Sequence, residues 1–176
     1  MNMEKKFELT DNFIINAFGV KLFQIKCTKS FKYAKEGDLG GYVEKDENLD
    51  QESDAWVSGD AWVYGNAEVS GDARVYGNAR VSGNARVSGD ARVYGDAEID
   101  NNNKHCGFDC FGSANRHTHA YLTKENKVEI TCGCFRGSIE EFEKRVEETH
   151  SGTIYEKQYK AIIDVIKIKF GLTDLI

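Results

Sequence analysis

An aliphatic residue recurs at every sixth position from Val57 to Ile99, through Val63, Val69, Val75, Val81, Val87 and Val93. Ala follows each of the first seven, at Ala61, Ala67, Ala73, Ala79, Ala85, Ala91 and Ala97, and Gly with Asp or Asn stands between. The unit reads V-x-G-[D/N]-A-x. Such a unit is too short to bury its own apolar side chain, so it must stack on copies of itself, and the result is a solenoid. The aliphatic residue fills the interior, and the small Ala enters the inner corner. Gly, Asp and Asn tolerate the left-handed backbone that a sharp turn demands. A meander of Gly-Asp hairpins would give no reason for a strict period of six.

The aliphatic-then-small pattern resembles the hexapeptide family of left-handed parallel β-helices, where three hexads close a triangular coil of about 18 residues. The resemblance implies a mainly β fold of about three to four coils, stacked at about 4.8 Å. Val43 and Leu49 would form an irregular first coil, since Leu49 and Val57 are eight residues apart. Outward residues then fall on three faces. One carries Trp56 and Ser58, Arg74 and Tyr76, Arg92 and Tyr94, with no acid among them. The second carries Trp62, Tyr64, Arg80, Ser82, Glu98 and Asp100, and the third Glu68, Ser70, Arg86 and Ser88. Glu68 would stack beside Arg86, and Arg80 beside Glu98, each pair adding a few tenths of a kcal/mol.

Composition narrows the function classes. The net charge of −6 over 176 residues disfavours a general nucleic-acid binder. No run of 18 apolar residues exists to span a membrane, and the N-terminus lacks the apolar core of a signal peptide. A cytoplasmic location, in whatever cell makes the protein, is therefore expected. The five Cys are expected to be reduced thiols there.

Three segments are expected. Residues 1–40 form an N-terminal β cap, with a strand at Val20–Cys27 and an earlier one near Phe13–Ile15. A solenoid end exposes strand edges and core, so it needs such a cap. Residues 41–101 are the solenoid. Residues 102–176 form a small α+β domain. Its hairpin pairs Ala120–Thr123 with Lys127–Cys132. Ser138 and Glu141 read as a capping box for a first helix, and a second helix runs from about Tyr155 to Phe170, ended by Gly171.

The stretch Gly37-Asp38-Leu39-Gly40-Gly41-Tyr42-Val43-Glu44, followed by Asn48-Leu49 and Ala55-Trp56-Val57, resembles the opening of YdcK-like hexapeptide proteins. The tail Cys132-Gly133-Cys134-Phe135-Arg136-Gly137-Ser138-Ile139-Glu140-Glu141-Phe142 is similar to a module that ends many of them. The resemblance implies a phage or mobile-element protein and, by analogy, a homo-oligomer, trimer or dimer. The family's usual acyltransferase label comes from its solenoid, and fold alone does not define function.

Four chemistries compete. An acyl-CoA-dependent acyltransferase needs a His base, yet Gly41–Asp100 contains no His; His117 or His119 would have to serve. A zinc site could draw on Cys106, Cys110, His117, His119, Cys132 and Cys134, which with His105 lie within 30 residues. The spacings C-x3-C, H-x-H and C-x-C match no standard zinc motif, and Cys132 and Cys134 also suit a hairpin core. A Cys nucleophile would need a base and a pocket that nothing in the sequence places. Binding without chemistry is the reading favoured here: Trp56, Arg74, Tyr76, Arg92 and Tyr94 belong to the residue types that dominate interface hot spots. The expected function is a non-enzymatic accessory protein that binds a protein partner, such as a host defence component. The acyltransferase and a structural, self-assembling solenoid are the alternatives. The acidic first helix (Glu140, Glu141, Glu143, Glu147, Glu148) is either a solvated face or a contact for a basic partner.

Overall fold

The computed structural model describes residues 5–172. It is mainly β, with a β-solenoid of about three turns and two C-terminal helices. The chain divides after Asn102 into two compact units. Among the described residues no helix is long and apolar enough to cross a membrane.

The first unit is the solenoid with its N-terminal cap. Two-residue strands recur every six residues: β4 (Trp56–Val57), β5 (Trp62–Val63), β6 (Glu68–Val69), β7 (Arg74–Val75), β8 (Arg80–Val81), β9 (Arg86–Val87), β10 (Arg92–Val93) and β11 (Glu98–Ile99). Strands 18 residues apart pair in parallel, so Val57, Val75 and Val93 stack in one column, Val63, Val81 and Ile99 in a second, and Val69 and Val87 in a third. These aliphatic residues and the corner alanines form one buried column. At the turns, Gly takes positive φ. A Cβ on Gly71 would stand 2.9 Å from the backbone nitrogen of Gly89 in the next coil, so the corner needs Gly for space as well as for conformation.

The irregular first coil is present. β3 (Leu39–Val43) sets Val43 over Val63, and Leu49 bridges to Val69. Buried Asn48 donates through Nδ2 to the carbonyls of Ala67, at 2.8 Å, and Gly65. The cap's first strand is longer than the expected Phe13–Ile15: β1 (Phe7–Ile15) and β2 (Lys21–Cys27) form an antiparallel hairpin that extends β3. One solenoid face therefore continues as a six-stranded sheet in the order β1-β2-β3-β5-β8-β11. The two extra residues between Leu49 and Val57 make a loop pinned from β1's start. Lys6 Nζ donates to the carbonyls of Asp50 (2.6 Å), Ser53 (2.7 Å) and Ala55 (2.8 Å). Gln51 Oε1 accepts from the backbone N–H groups of Lys6 and Phe7. At the far end, Asn102 Oδ1 accepts the Arg86 N–H that a further coil would have taken.

The second unit is an antiparallel sheet of β12 (His105–Phe111), β13 (Arg116–Leu122), β14 (Val128–Cys132) and β15 (Phe135–Gly137), in chain order. Helices α1 (Ile139–His150) and α2 (Ile154–Lys169) pack on one face of it. Ala120, Ile130 and Cys132 from the sheet meet Phe142, Val146, Tyr159, Ile162, Ile163 and Ile166 from the helices. The Ser138–Glu141 capping box forms on α1, and Thr153 caps α2. The sequence reading found β13, β14 and both helices but missed β12 and β15. Asn126 and Gly133, both at positive φ, make the turns that flank β14.

Candidate functional site

On the solenoid, the sheet β4-β7-β10 brings Trp56, Arg74 and Arg92 into one column. Trp56 is buried, only 5% exposed, beneath Phe31, whose ring lies edge-on at 5.4 Å. It therefore anchors the cap rather than offering a surface. Tyr33 joins the face instead: the Arg74 guanidinium sits 4.8 Å from the Tyr33 ring and 5.8 Å from Tyr76. Tyr76 in turn lies 4.5 Å from Tyr94. The segment carrying Phe31 and Tyr33 is fastened by the ion pair of Lys32 with Asp72, at 2.5 Å. On the other faces, Glu68 and Arg86 pair at 3.4 Å, whereas Arg80 aligns with Glu98 but stacks over Trp62 at 4.4 Å. The cation finds a ring there that the sequence columns did not weigh.

The second unit separates Cys106 and Cys132 from the histidines. Cys106 and Cys132 pack with the helix-side core, where burial pushes the Cys106 thiol up to about 11. Cys132 Sγ accepts from Thr118 Oγ1 at 3.3 Å and lies 3.8 Å from Tyr159 Oη. Burial and the neighbouring Cys132 push the Tyr159 phenol up to about 12. Cys110 and Cys134 are exposed. His105, His117 and His119, by contrast, come together. His105 Nδ1 and His119 Nε2 are 3.0 Å apart in a hydrogen bond between rings. His117 Nδ1 donates to Asp109 Oδ1 at 2.5 Å. The rings of His117 and His119 are 5.7 Å apart, and His119 also lies against Tyr121. Tyr121 donates to Glu129, which Arg136 pairs. His119 and Tyr121 are fully buried. Burial, aided by Lys169, holds His105 down at about 4, so it is neutral at physiological pH. Gly107 makes room for the cluster, since a Cβ there would stand 2.6 Å from the His117 ring.

The sequence reading named His117 and His119 but left His105 at the margin and missed Asp109 and Gly107. The signal was the period-two spacing of His105, Gly107 and Asp109, which puts alternate residues of one strand on one face. The acidic helix is partly neutralised from within: Lys167 pairs Glu143 at 2.6 Å and Lys160 pairs Glu147 at 3.5 Å.

Residues 67–83, 73–89 and 85–97 match the YdcK Beta solenoid repeat. The chain carries YdcK-type repeats. The match lies within the regular coils, where Val, Gly and Ala fix the stack, and leaves out β4, β5, the cap and the second unit. No curated protein matches the chain.

Proposed function

We propose that this is a non-enzymatic binding protein of phage or mobile-element type. Its solenoid, left-handed and hexapeptide-built, presents Arg74, Tyr76, Arg92 and Tyr94, together with Tyr33, to a protein partner. A host defence component is the partner class we favour. The carrying observation is the stack of Tyr33, Arg74, Tyr76 and Tyr94 on one face, with successive groups 4.5 to 5.8 Å apart. Short strands locked into coils hold such rings with little entropy left to lose on binding, and Tyr and Arg are typical interface anchors. The C-terminal module and a small homo-oligomer, trimer or dimer, belong to the same reading.

The test is charge reversal, with Arg74→Glu and Arg92→Glu combined. Cross-linking in host lysate, read by mass spectrometry, should map contacts from the parent's β7 and β10 to one acidic surface. The double variant, with unchanged circular dichroism, should lose them. Retention of the same cross-links by the variant sinks the assignment of this face. Light scattering across concentration separates a closed oligomer from open self-assembly.

One observation favours a second reading. The hydrogen bond of His117 to Asp109 is the arrangement that orients a general base, which keeps an acyl-CoA-dependent acyltransferase in view. Native mass spectrometry with acetyl-CoA decides: a bound molecule lost in His117→Gln supports it, and no binding removes it.

A further inference from the structure

We propose that His105, His117 and His119 form a binding site for a borderline divalent metal ion of the zinc class, with Asp109 orienting His117. The argument starts with strand geometry. β12 and β13 are antiparallel, with His105 opposite Tyr121 and Gly107 opposite His119. His105 and His119 are thus diagonal neighbours on one face, and His117 lies two residues from His119 on that same face.

Nitrogen positions come next. His105 Nδ1 and His119 Nε2 face one another at 3.0 Å. Two nitrogens bound to one tetrahedral zinc at its usual bond length stand about 3.3 Å apart, and the ring centres about 5 to 6 Å. The observed ring separations are 5.2 Å for His105 with His119 and 5.7 Å for His117 with His119. A few tenths of an ångström of opening, with both rings turning their lone pairs toward one point and the bridging proton moving to a far ring nitrogen or to water, would admit the ion.

The third ligand rests on a separate observation. The His117 side chain is only 7% exposed, and its Nε2 is buried without a hydrogen-bond partner. A buried ring nitrogen with no partner carries a desolvation cost. Its other nitrogen donates to Asp109, which leaves Nε2 as a lone pair when the ring is neutral. A carboxylate holding the far nitrogen of a ligand His is the recurring outer-shell arrangement of zinc sites. Gly107 supplies the space in which this ring lies. Among the described residues no three His, Cys, Asp or Glu side chains are already gathered around one point. The site is therefore one that the ion completes by drawing the His117 ring inward. Cys106 and Cys132 take no part, because they belong to the helix-side core. Imidazole donors without thiolate suit zinc, nickel, cobalt and copper rather than magnesium or calcium.

The test uses the full chain, stripped with a chelator and titrated with Zn2+ alone. Native mass spectrometry should find one ion per chain. Nitrogen-15 NMR of the imidazoles should show Zn2+ shifting His105 Nδ1, His119 Nε2 and His117 Nε2. Co2+ in place of Zn2+ should give the visible absorption of a tetrahedral complex. His105→Gln should weaken binding at least 100-fold, and Asp109→Asn by 10- to 100-fold, while Cys134→Ser leaves it unchanged. Since His119→Gln alters a buried position, the NMR shifts on the parent protein carry the assignment of that ligand. Failure to retain any ion overturns the proposal. So does an ion that shifts other nitrogens, or whose affinity ignores His105→Gln. Neither result bears on the Arg74 and Arg92 face.

Discussion

Lys6→Met is the substitution that most directly probes how the solenoid begins. The ammonium of Lys6 is buried and donates to three carbonyls of the loop that joins Leu49 to Val57. Two effects oppose each other. Met leaves three carbonyls without their charged donor, at about 2 kcal/mol each, or about 6 kcal/mol together. Met also removes the cost of burying a charge. Burial lowers Lys6 to about 8, with nearby Asp50 and Asp54 resisting. Against a free lysine near 10.5 that is roughly 3 kcal/mol, and about 2 kcal/mol after discounting for water at the loop mouth. The lost hydrogen bonds should win by about 4 kcal/mol, a large share of a typical domain's stability. The assay is urea unfolding followed by tryptophan fluorescence, which reports on the first unit alone because Trp56 and Trp62 are the chain's two Trp. A drop of about 15 °C or more in melting temperature should accompany it. The parent carries an internal control. Folded Lys6 binds fewer protons than unfolded Lys6 between about pH 8 and pH 10.5. The parent should therefore gain stability as pH rises through that window, by up to about 2 kcal/mol, and Lys6→Met should lack that component. A variant as stable as the parent would refute the reasoning, because it would mean that burying the charge costs as much as the three carbonyls gain.

Gly71→Ala should destabilise the solenoid by about 2 kcal/mol or more. It combines left-handed strain of about 1–2 kcal/mol with a Cβ 2.9 Å from Gly89's nitrogen. Gly152→Ala, at a similar φ but with nothing within 4 Å, should show the strain alone when unfolding of the second unit is followed by hydrogen exchange. Ser138→Ala removes the hydroxyl that accepts from the Glu141 N–H and keeps the reciprocal bond from its own backbone N–H to the Glu141 carboxylate, so it should cost about 1 kcal/mol by the same measurement.

The repeat was legible because every position in it obeys one local rule. Val columns and Gly corners follow from the hexad, while the 18-residue pairing period and the irregular first coil at Val43 and Leu49 came from the resemblance to hexapeptide proteins. The cap was only half legible. Phe7–Leu9 gives no clean alternation, and β1 is irregular opposite β2 between Leu9 and Phe13, so the hairpin's length is set by pairing that no local pattern announces. β12 was hidden for a different reason. His105-Cys106-Gly107-Phe108-Asp109 has weak strand propensity, and the strand exists because Cys106 and Phe108 are packed on one side while the histidines meet on the other.

The same contrast explains the sites. Columns of outward residues can be counted from a strict repeat, and Arg74, Tyr76, Arg92 and Tyr94 needed nothing more. What covers a column is a long-range matter. Trp56 leaves the surface because Phe31, 25 positions earlier in the chain, lies on it. Tyr33 enters the surface because that same segment brings it over Arg74. For the cysteines and histidines, closeness in sequence suggested one mixed cluster, but a sheet assigns its residues by parity. Cys106 and Cys132 take the parity that faces the helices, and His105, Gly107, His117 and His119 take the other. Any ion the second unit holds through these groups must therefore choose nitrogen or sulfur, and the separated faces leave nitrogen as the choice.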